Sequence, residues 1–511
     1  MKIFLLEHPR SSRPERCNDI ANTPLSSCLL SSYTAAALLE EGHEVKIVEG
    51  YLEGLSYEEI EGRAGSFGPD AIGVHMVYHW EDDRRLAGFL SKMKKESGAG
   101  FIAAYGYYPT FASGEILSGC GAIDAIVLGE PELTFSAMIK TLAAGKPVRG
   151  IPGLAVNKNE NGTLARCGPG AAAKNLDALP FPVRTEAMWR LPEVNILGSR
   201  GCYGKCTFCH INSFFGNGSL PAWRGRSPEN IMLEIDGLIA AKKARDFYFT
   251  DPNFFGPGAN GQQRAVRLAA MLGERNISFG IEARANDIKD AGIAALAGAG
   301  LKHILIGLES GRDESLLRMK KMTTVAQNEN ALKILRKYGI EPNVGFIMFE
   351  PDSTLEDIKT NLRFLKRNRL LENLPVTANV LYHSQIVLRG TEAFRALESE
   401  GRLRMESKDA HEASPLFKEP RVRALADIMG RATNLLFLRM DGIWSGKEPA
   451  PLNAHKTYAE INDFLVDLFE NTLEKLSSGE KLKKDFIAEV EEELEKRIAK
   501  IITPSPNPLP F

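Results

Sequence analysis

Between residues 1 and 400 the chain repeats one pattern: a short apolar run, a stretch with helical spacing, then another apolar run. In the first block the apolar runs are MKIFLL, HEVKIVEG, DAIGVHMVY, GFIAAYG and AIDAIVLG. SSYTAAALLEEG, SYEEIEGRAGSF, EDDRRLAGFLSKMKKESG and FASGEILSGCG lie between them. Such alternation folds into a parallel sheet with helices on both faces, because parallel neighbours need a crossover long enough to hold a helix. Residues 1–150 are therefore expected to form a doubly wound, Rossmann-like α/β domain. Its ligands would sit in the loops at the carboxyl ends of the strands, here EHPRSSRPERCNDIANTPLSS, HMVYHW, YGYYPT and LGEPELTF.

Residues 151–193 are irregular and proline-bearing, and NLDALPFPVR reads as a linker. A second alternating block follows, with candidate strands at 194–199, 246–250, 277–283, 302–309, 341–349 and 376–382. These units predict a partial (β/α)6, TIM-like barrel over 194–400, with functional loops at one mouth. From 401 to 511 the pattern is helical. There Leu482, Phe486, Val490, Leu494, Ile498 and Ile501 share one face, and RATNLLFLRMDGIW reads as a core helix.

Lys plus Arg (63) nearly balances Asp plus Glu (65), so no net field favours nucleic acid or an anionic membrane. The apolar part of MKIFLL is followed at once by EHPRSSRPER, so it reads as a first strand and not as a signal peptide. No apolar stretch is long enough to span a bilayer. Seven unevenly spaced cysteines do not make a secreted disulfide framework, and a reducing cytoplasm is the expected compartment.

Three of those cysteines, Cys202, Cys206 and Cys209, fall in SRGCYGKCTFCHINSFFG, directly after the first strand of the second block. Thiolates bind soft metals, and a closed zinc site would want a fourth Cys or His. His210 is adjacent to Cys209, where a second ligand strains to reach the same ion; the other cysteines are scattered. Three thiolates can instead hold three irons of a [4Fe–4S] cluster and leave the fourth iron open to bind and reduce a ligand.

The spacing C-x-x-x-C-x-x-C after a barrel's first strand resembles the loop of the radical S-adenosylmethionine (SAM) enzymes, and Phe208 matches the aromatic position usual there. The resemblance implies that the open iron chelates SAM and that a reduced cluster cleaves it to a 5′-deoxyadenosyl radical. Several strand ends resemble the family's SAM-contacting segments. They are Thr250, Asp251 and Asn253 in FYFTDPNFFG, Glu282 and Arg284 in IEAR, and Glu309 and Ser310 in ILIGLESG. Glu282 suits ribose hydroxyls and Arg284 a carboxylate. An electron donor such as flavodoxin or ferredoxin is implied as a partner.

The order of segments in residues 1–150 is similar to the cobalamin-binding domain of cobalamin-dependent radical SAM proteins. That similarity implies corrin or nucleotide-tail contacts from Pro24, Leu25, Ser26, His75, Met76, Val77, Tyr105, Gly106, Tyr107, Tyr108, Gly129 and Glu130. Two departures stand out. The D-x-H-x-x-G motif is missing: only His411 has Asp two places before it (Asp409), and Ser414 follows where Gly is needed. A non-ligating side chain or water is therefore expected under the cobalt. Bulky Tyr107 and Tyr108 stand where such domains often carry a second glycine.

The reaction implied is C-methylation of an unactivated carbon of a small-molecule metabolite. The alternative is cyclisation or oxidative rearrangement without methyl transfer, as in the tetrapyrrole cyclase branch, which the long first loop also resembles. A methylthiolation enzyme acting on RNA or protein would want a second three-cysteine cluster and a basic module; Cys17, Cys28 and Cys120 could supply thiols, but their spacing and the near-neutral charge speak against it. A cofactor-storing sensor is the non-enzymatic reading. Tyr382 and His383, ending the expected sixth strand, are candidate hydrogen donors or substrate clamps.

Overall fold

The computed structural model describes residues 1–9, 29–76, 83–157, 164–216, 220–405, 410–444, 454–483 and 485–502. Strands β1 (Lys2–Glu7), β2 (Glu44–Glu49), β3 (Ala71–His75), β4 (Phe101–Tyr105) and β5 (Ala125–Val127) are parallel in the order β2-β1-β3-β4-β5. Helices Leu29–Glu40 and Pro131–Ala143 cover one face through Ala35, Leu38, Phe135 and Met138. Tyr57–Phe67 and Asp83–Glu96 cover the other through Ile60, Ala64, Phe89 and Leu90. The sheet is thus doubly wound, as expected. Its topological switch point lies between β1 and β3, where ligands of such sheets bind. The loops leaving those two strands, with Pro24, Leu25, Ser26 and Val77, lie outside the described residues.

The stretch expected to be irregular is not so throughout. Leu154–Asn157 (β6) and Leu164–Arg166 (β7) add to β5 as antiparallel strands and extend the sheet to seven. Both are short and Gly-flanked, so their two-residue periodicity has little length in which to show.

The second sheet consists of β8 (Val194–Ile196), β11 (Asp246–Phe249), β12 (Ser278–Arg284), β13 (Leu301–Glu309) and β14 (Asn343–Phe346), all parallel; β9 (Ser199–Gly201) and β10 (Trp223–Gly225) form a separate hairpin. Period-two alternation sends Phe279, Ile281 and Ala283 of β12 into the core and Glu282 and Arg284 to the lumen side. The expected sixth strand is corrected: residues 374–382 form the helix Leu374–Tyr382. Pro375 sits in its first turn, and Leu374, Thr377, Ala378 and Leu381 are buried at helical spacing, which outweighs the strand preference of Val and Tyr. Among the described residues a single parallel bridge, Phe349 to Ser384, continues the barrel.

Helices Pro420–Trp444, Ala454–Ser478 and Phe486–Ile502 form the tail. Their buried Leu425, Met429, Leu436, Leu465, Phe469, Leu494 and Ile498 belong to the same apolar core as the barrel strands. Three short strands, Val387–Leu388 (β15), Leu403–Arg404 (β16) and Glu412–Pro415 (β17), precede them as a small antiparallel sheet. Among the described residues no helix is long and apolar enough to cross a membrane.

The two sheets meet through buried charge. Arg200 of β9, 1% exposed, donates to Glu130 at 2.6 Å and to Glu132 at 2.7 Å, and Arg224 of β10 also pairs with Glu130. Two guanidiniums face two carboxylates, so the group is neutral overall. Burial alone would lower the Arg200 pKa, but Glu132 and Glu130 drive it above its usual value. Removing one member leaves a buried charge uncompensated, at a cost of about 3–5 kcal/mol. Arg200→Ala should therefore lose several kcal/mol in urea unfolding. Lys242→Ala, which breaks the exposed pair to Glu186, should lose about 1 kcal/mol or less. Equal losses would show that the buried group does not couple the two sheets.

Candidate functional site: the cysteine loop at the barrel mouth

The cysteine loop leaves β9 and runs into the short helix Ile211–Phe215. Nitrogen donors surround its sulfurs. The Gly204 N–H donates to Cys202 Sγ at 3.3 Å, Asn253 Nδ2 lies 3.9 Å from the same sulfur, and Arg284 Nη1 lies 3.5 Å from Cys206 Sγ. Burial, with the neighbouring thiols, pushes the Cys209 thiol up to about 12. Among the described residues no three His, Cys, Asp or Glu side chains close around one ion. Three thiols on one loop, with N–H donors at sulfur, suit an iron–sulfur cluster instead.

The strand ends expected to meet SAM converge here, in different roles. Asp251 is fully buried; burial raises its carboxyl to about 6, and it accepts from Gly198 N at 2.6 Å and Ser199 Oγ at 2.8 Å. It ties the entrance of the loop to β11. Thr250 Oγ1 donates to Ile196 O at 3.2 Å, which joins β11 to β8. Ser310 Oγ donates to Asn361 Oδ1 at 2.8 Å. Glu309, at φ +63°, accepts from Lys321 Nζ at 2.7 Å. Phe208 is half-buried within the loop.

Among the described residues several buried polar atoms near the loop lack a partner, and two of them lie on strand-end residues expected to meet SAM. Asn253 Oδ1 and Arg284 Nε are buried with no hydrogen-bond partner among the described residues. One is an acceptor and one a donor, a pair suited to the ammonium and carboxylate of an amino acid. The Arg284 guanidinium lies over Tyr203, 5.3 Å from its ring centroid, and also donates to Lys321 O. A Cβ on Gly204 would collide with it, so the glycine between the first two cysteines is what lets the guanidinium reach the loop. Lys321 was passed over in the sequence, although it closes the run RDESLLRMKK just beyond Glu309.

The first domain reaches this loop directly. Tyr107 stacks 4.1 Å from Phe214 and 4.6 Å from His210, centroid to centroid. Tyr108 lies 5.5 Å from His411. Burial pushes the His210 imidazole down to about 3, so it stays neutral. Gly106 takes φ +112°, and a Cβ there would stand 2.6 Å from Met76 O and 2.8 Å from His75 Nε2; only glycine fits this close approach. His75 is buried, with Nδ1 2.8 Å from Glu7 Oε2, and Ser31 links Glu7 to Tyr105. Met76 and Tyr105 are core residues. Gly129, at φ +73°, packs near Phe214 O, and Glu130 is held by the arginines of the hairpin. Tyr382 packs against Phe437, centroids 5.9 Å apart, facing the tail helices. The His383 carbonyl accepts from Phe349 N at 3.1 Å, just past the end of β14.

Glu282 is half-buried in the lumen and accepts from Tyr248 Oη at 3.2 Å. Desolvation raises its carboxyl from the ordinary 4.5 to about 8. Below the lower value both folded and unfolded chains carry the proton. Between the two values only the folded chain does, so this residue's contribution is lost as pH rises toward 8. Glu282→Gln should reduce the loss of stability between pH 5 and 8, measured as urea midpoints across pH. An unchanged slope would place the charge of Glu282 in a solvated environment.

Comparison with known proteins agrees with this geometry. The sequence profile of the Radical SAM superfamily matches residues 196–365. The chain is 28% identical over 375 residues to an uncharacterized methyltransferase, PH0819, of Pyrococcus horikoshii, covering 72% of this chain and 78% of that one. It is 26% identical over 363 residues to the anaerobic magnesium-protoporphyrin IX monomethyl ester cyclase of Synechocystis, covering 66% and 67%. Among solved structures it is similar to the cobalamin-dependent S-adenosylmethionine radical enzyme OxsB with aqua-cobalamin and S-adenosylmethionine bound. The TM-score is 0.78 at 20% identity, over 99% of this chain and 82% of that one. With its cysteine loop after the first barrel strand, the chain carries a radical SAM domain over residues 196–365 and shares the overall fold of OxsB.

Proposed function

We propose that this chain is a cobalamin-dependent radical SAM enzyme that methylates an unactivated carbon of a small-molecule metabolite. The observation that carries the reading is the contact of Tyr107, at the carboxyl end of β4, with His210 and Phe214 beside Cys209. It turns the ligand edge of the first sheet and the cysteine loop toward one space. When bound, the [4Fe–4S] cluster with SAM supplies a 5′-deoxyadenosyl radical, and cobalamin supplies a methyl carrier.

In this reading Cys202, Cys206 and Cys209 hold three irons. Arg284 and Asn253 orient the amino-acid end of SAM, Glu282 faces its ribose, and Thr250 braces the strand ends beside it. Phe208, Asp251, Glu309 and Ser310 keep the loop and strand ends in place. Gly106 and Gly129 give the backbone approach for the corrin, with Pro24, Leu25, Ser26 and Val77 in the flanking loops. His75 is buried with its Nε2 turned to Gly106, so it would pack beside a bound corrin without holding its metal, and a non-ligating side chain or water would meet the cobalt instead. Tyr107 and Tyr108 pack the two domains together, and His383 is the substrate contact, since Tyr382 is turned to Phe437 of the tail. A one-electron donor and a reducing, cytoplasmic setting follow from the chemistry.

Cyclisation without methyl transfer is the second reading, supported by the similarity to the Synechocystis cyclase. Anaerobic reconstitution with iron, sulfide and cobalamin, followed by mass spectrometry of SAM products, separates the two. Wild-type protein should form 5′-deoxyadenosine, and the Cys202→Ala/Cys206→Ala/Cys209→Ala variant should not. S-adenosylhomocysteine in step with it supports methylation; deoxyadenosine alone supports cyclisation. No deoxyadenosine from protein with an intact cluster and bound SAM overturns both.

A further inference from the structure

Asn253 is held from several directions. Its carbonyl accepts from Trp223 Nε1 at 2.8 Å and from Ser199 Oγ at 3.1 Å, which leaves only the side-chain amide to be set. The two ends of that amide have nearly the same shape and opposite hydrogen-bonding sense, so their partners decide which end meets a ligand. Here Nδ2 donates to Asp287 Oδ2 at 3.1 Å and lies 3.9 Å from Cys202 Sγ. Turning the amide over would set Oδ1 against the carboxylate, acceptor against acceptor. Oδ1 therefore stays aimed away from Asp287, where it is buried without a partner among the described residues.

Asp287 ends the short turn Ala285–Asp287 that follows Arg284, and it is buried. A carboxylate taken out of water has to be supplied with donors, and each of its oxygens has one. Tyr203 Oη donates to Oδ1 at 2.5 Å, and Asn253 occupies Oδ2. The Tyr203 hydroxyl itself accepts from Asn286 Nδ2 at 2.9 Å, and Gln262 Nε2 donates to the Asp287 carbonyl at 2.8 Å. The ring of the same tyrosine lies under the Arg284 guanidinium. Tyr203 thus reaches both ligand-facing residues, Arg284 through its ring and Asn253 through its hydroxyl and Asp287.

We propose that Tyr203 and Asp287 are positioning residues that fix Asn253 Oδ1 as the acceptor for the ammonium of SAM while Arg284 is held for its carboxylate. The proposal rests on the radical SAM reading, which puts SAM at the cysteine loop. An ammonium needs acceptors, and an Asn253 free to turn over would present its NH2 to that cation. Asp287 prevents this without touching the ligand, because its own oxygens are taken up by Tyr203 and Asn253. Tyr203 lies between Cys202 and Cys206, so the loop that carries the thiols also aligns the groups that receive the amino acid.

Reconstituted wild type, Asp287→Ala, Asp287→Asn and Tyr203→Phe can be compared by anaerobic equilibrium dialysis with two ligands. One is SAM; the other is 5′-methylthioadenosine, which keeps the nucleoside and lacks the amino-acid end. Asp287→Ala should raise the Kd for SAM about tenfold, the worth of one hydrogen bond to a charged group, and leave that for methylthioadenosine within about twofold. Asp287→Asn keeps an oxygen for the Asn253 amide and should stay within about threefold of wild type for SAM. Tyr203→Phe keeps the ring under Arg284 and frees one side of the carboxylate, so its SAM affinity should fall between those two variants. Unchanged SAM affinity in Asp287→Ala and Tyr203→Phe overturns the proposal and leaves the radical SAM reading standing. Equal weakening of both ligands overturns it too, since a purely structural fault would act on the whole site. So does Asp287→Asn binding SAM as weakly as Asp287→Ala. Wild-type protein with an intact cluster that binds no SAM sinks the radical SAM reading, and these roles with it.

Discussion

The arrangement of the whole molecule depends on the buried meeting of Glu130 and Glu132 with Arg200 and Arg224. Glu130 follows the last parallel strand of the first sheet, and Arg200 stands two residues before the first cysteine of the loop. The pairing thus joins the carboxyl edge of the first sheet to the strand that leads into the cysteine loop of the other domain. Dry charges of this kind contribute little net stability, because desolvation offsets most of the attraction. What they supply is selectivity: any other docking of the two domains would bury unpaired carboxylates or guanidiniums. Neighbouring charges continue the pattern. Glu234 accepts from Arg184 at 2.7 Å and from Arg226 at 2.5 Å, and Arg226 reaches Tyr33 of the first domain at 3.2 Å.

With the domains fixed, the polar groups around the loop divide their labour. Asp251, Thr250 and Ser310 spend their hydrogen bonds on holding strand ends together, so the loop starts from a rigid platform. Arg284 faces the sulfurs and is itself braced by Lys321 O and the ring of Tyr203. A guanidinium held this way has lost its rotamer freedom before any ligand arrives, which lowers the entropic cost of binding.

The parallel sheets were legible because helix and strand periods differ and each block is long enough to show both. The cysteine loop and the strand-end Arg284 and Asn253 were legible as candidates because each stands in a short local stretch, CYGKCTFC, IEAR and FYFTDPNFFG. What escaped was non-local. Glu130 looks like a ligand of the loop it sits in until Arg200, seventy residues on, takes it up. Lys321 is one cation among many until the left-handed turn at Lys320 folds it back on Glu309. Residues 376–382 misled because Val, Thr and Tyr favour strands on any propensity scale. The helix is decided by the tail, whose Phe437 packs on Tyr382 and offers a surface to a helical face.

Enclosure of the mouth is the last consequence of this packing. The first domain closes one side through the Tyr107 stack on His210 and Phe214. Another is closed by the segment after helix Leu374–Tyr382. There Arg389 pairs with Glu115 of the first domain at 2.8 Å, Ser213 Oγ donates to Gly390 O at 3.0 Å, and Ala393 N donates to Thr207 O at 2.9 Å. His411, beside Tyr108 and His210, completes the junction. Three parts of the chain that are far apart in sequence thus meet around the loop, each through contacts with the other two. A radical formed in such a space is screened from water and from adventitious hydrogen donors. Loosening any one of the three seams would expose it, so the stability of these contacts and the fate of the radical are set by the same side chains.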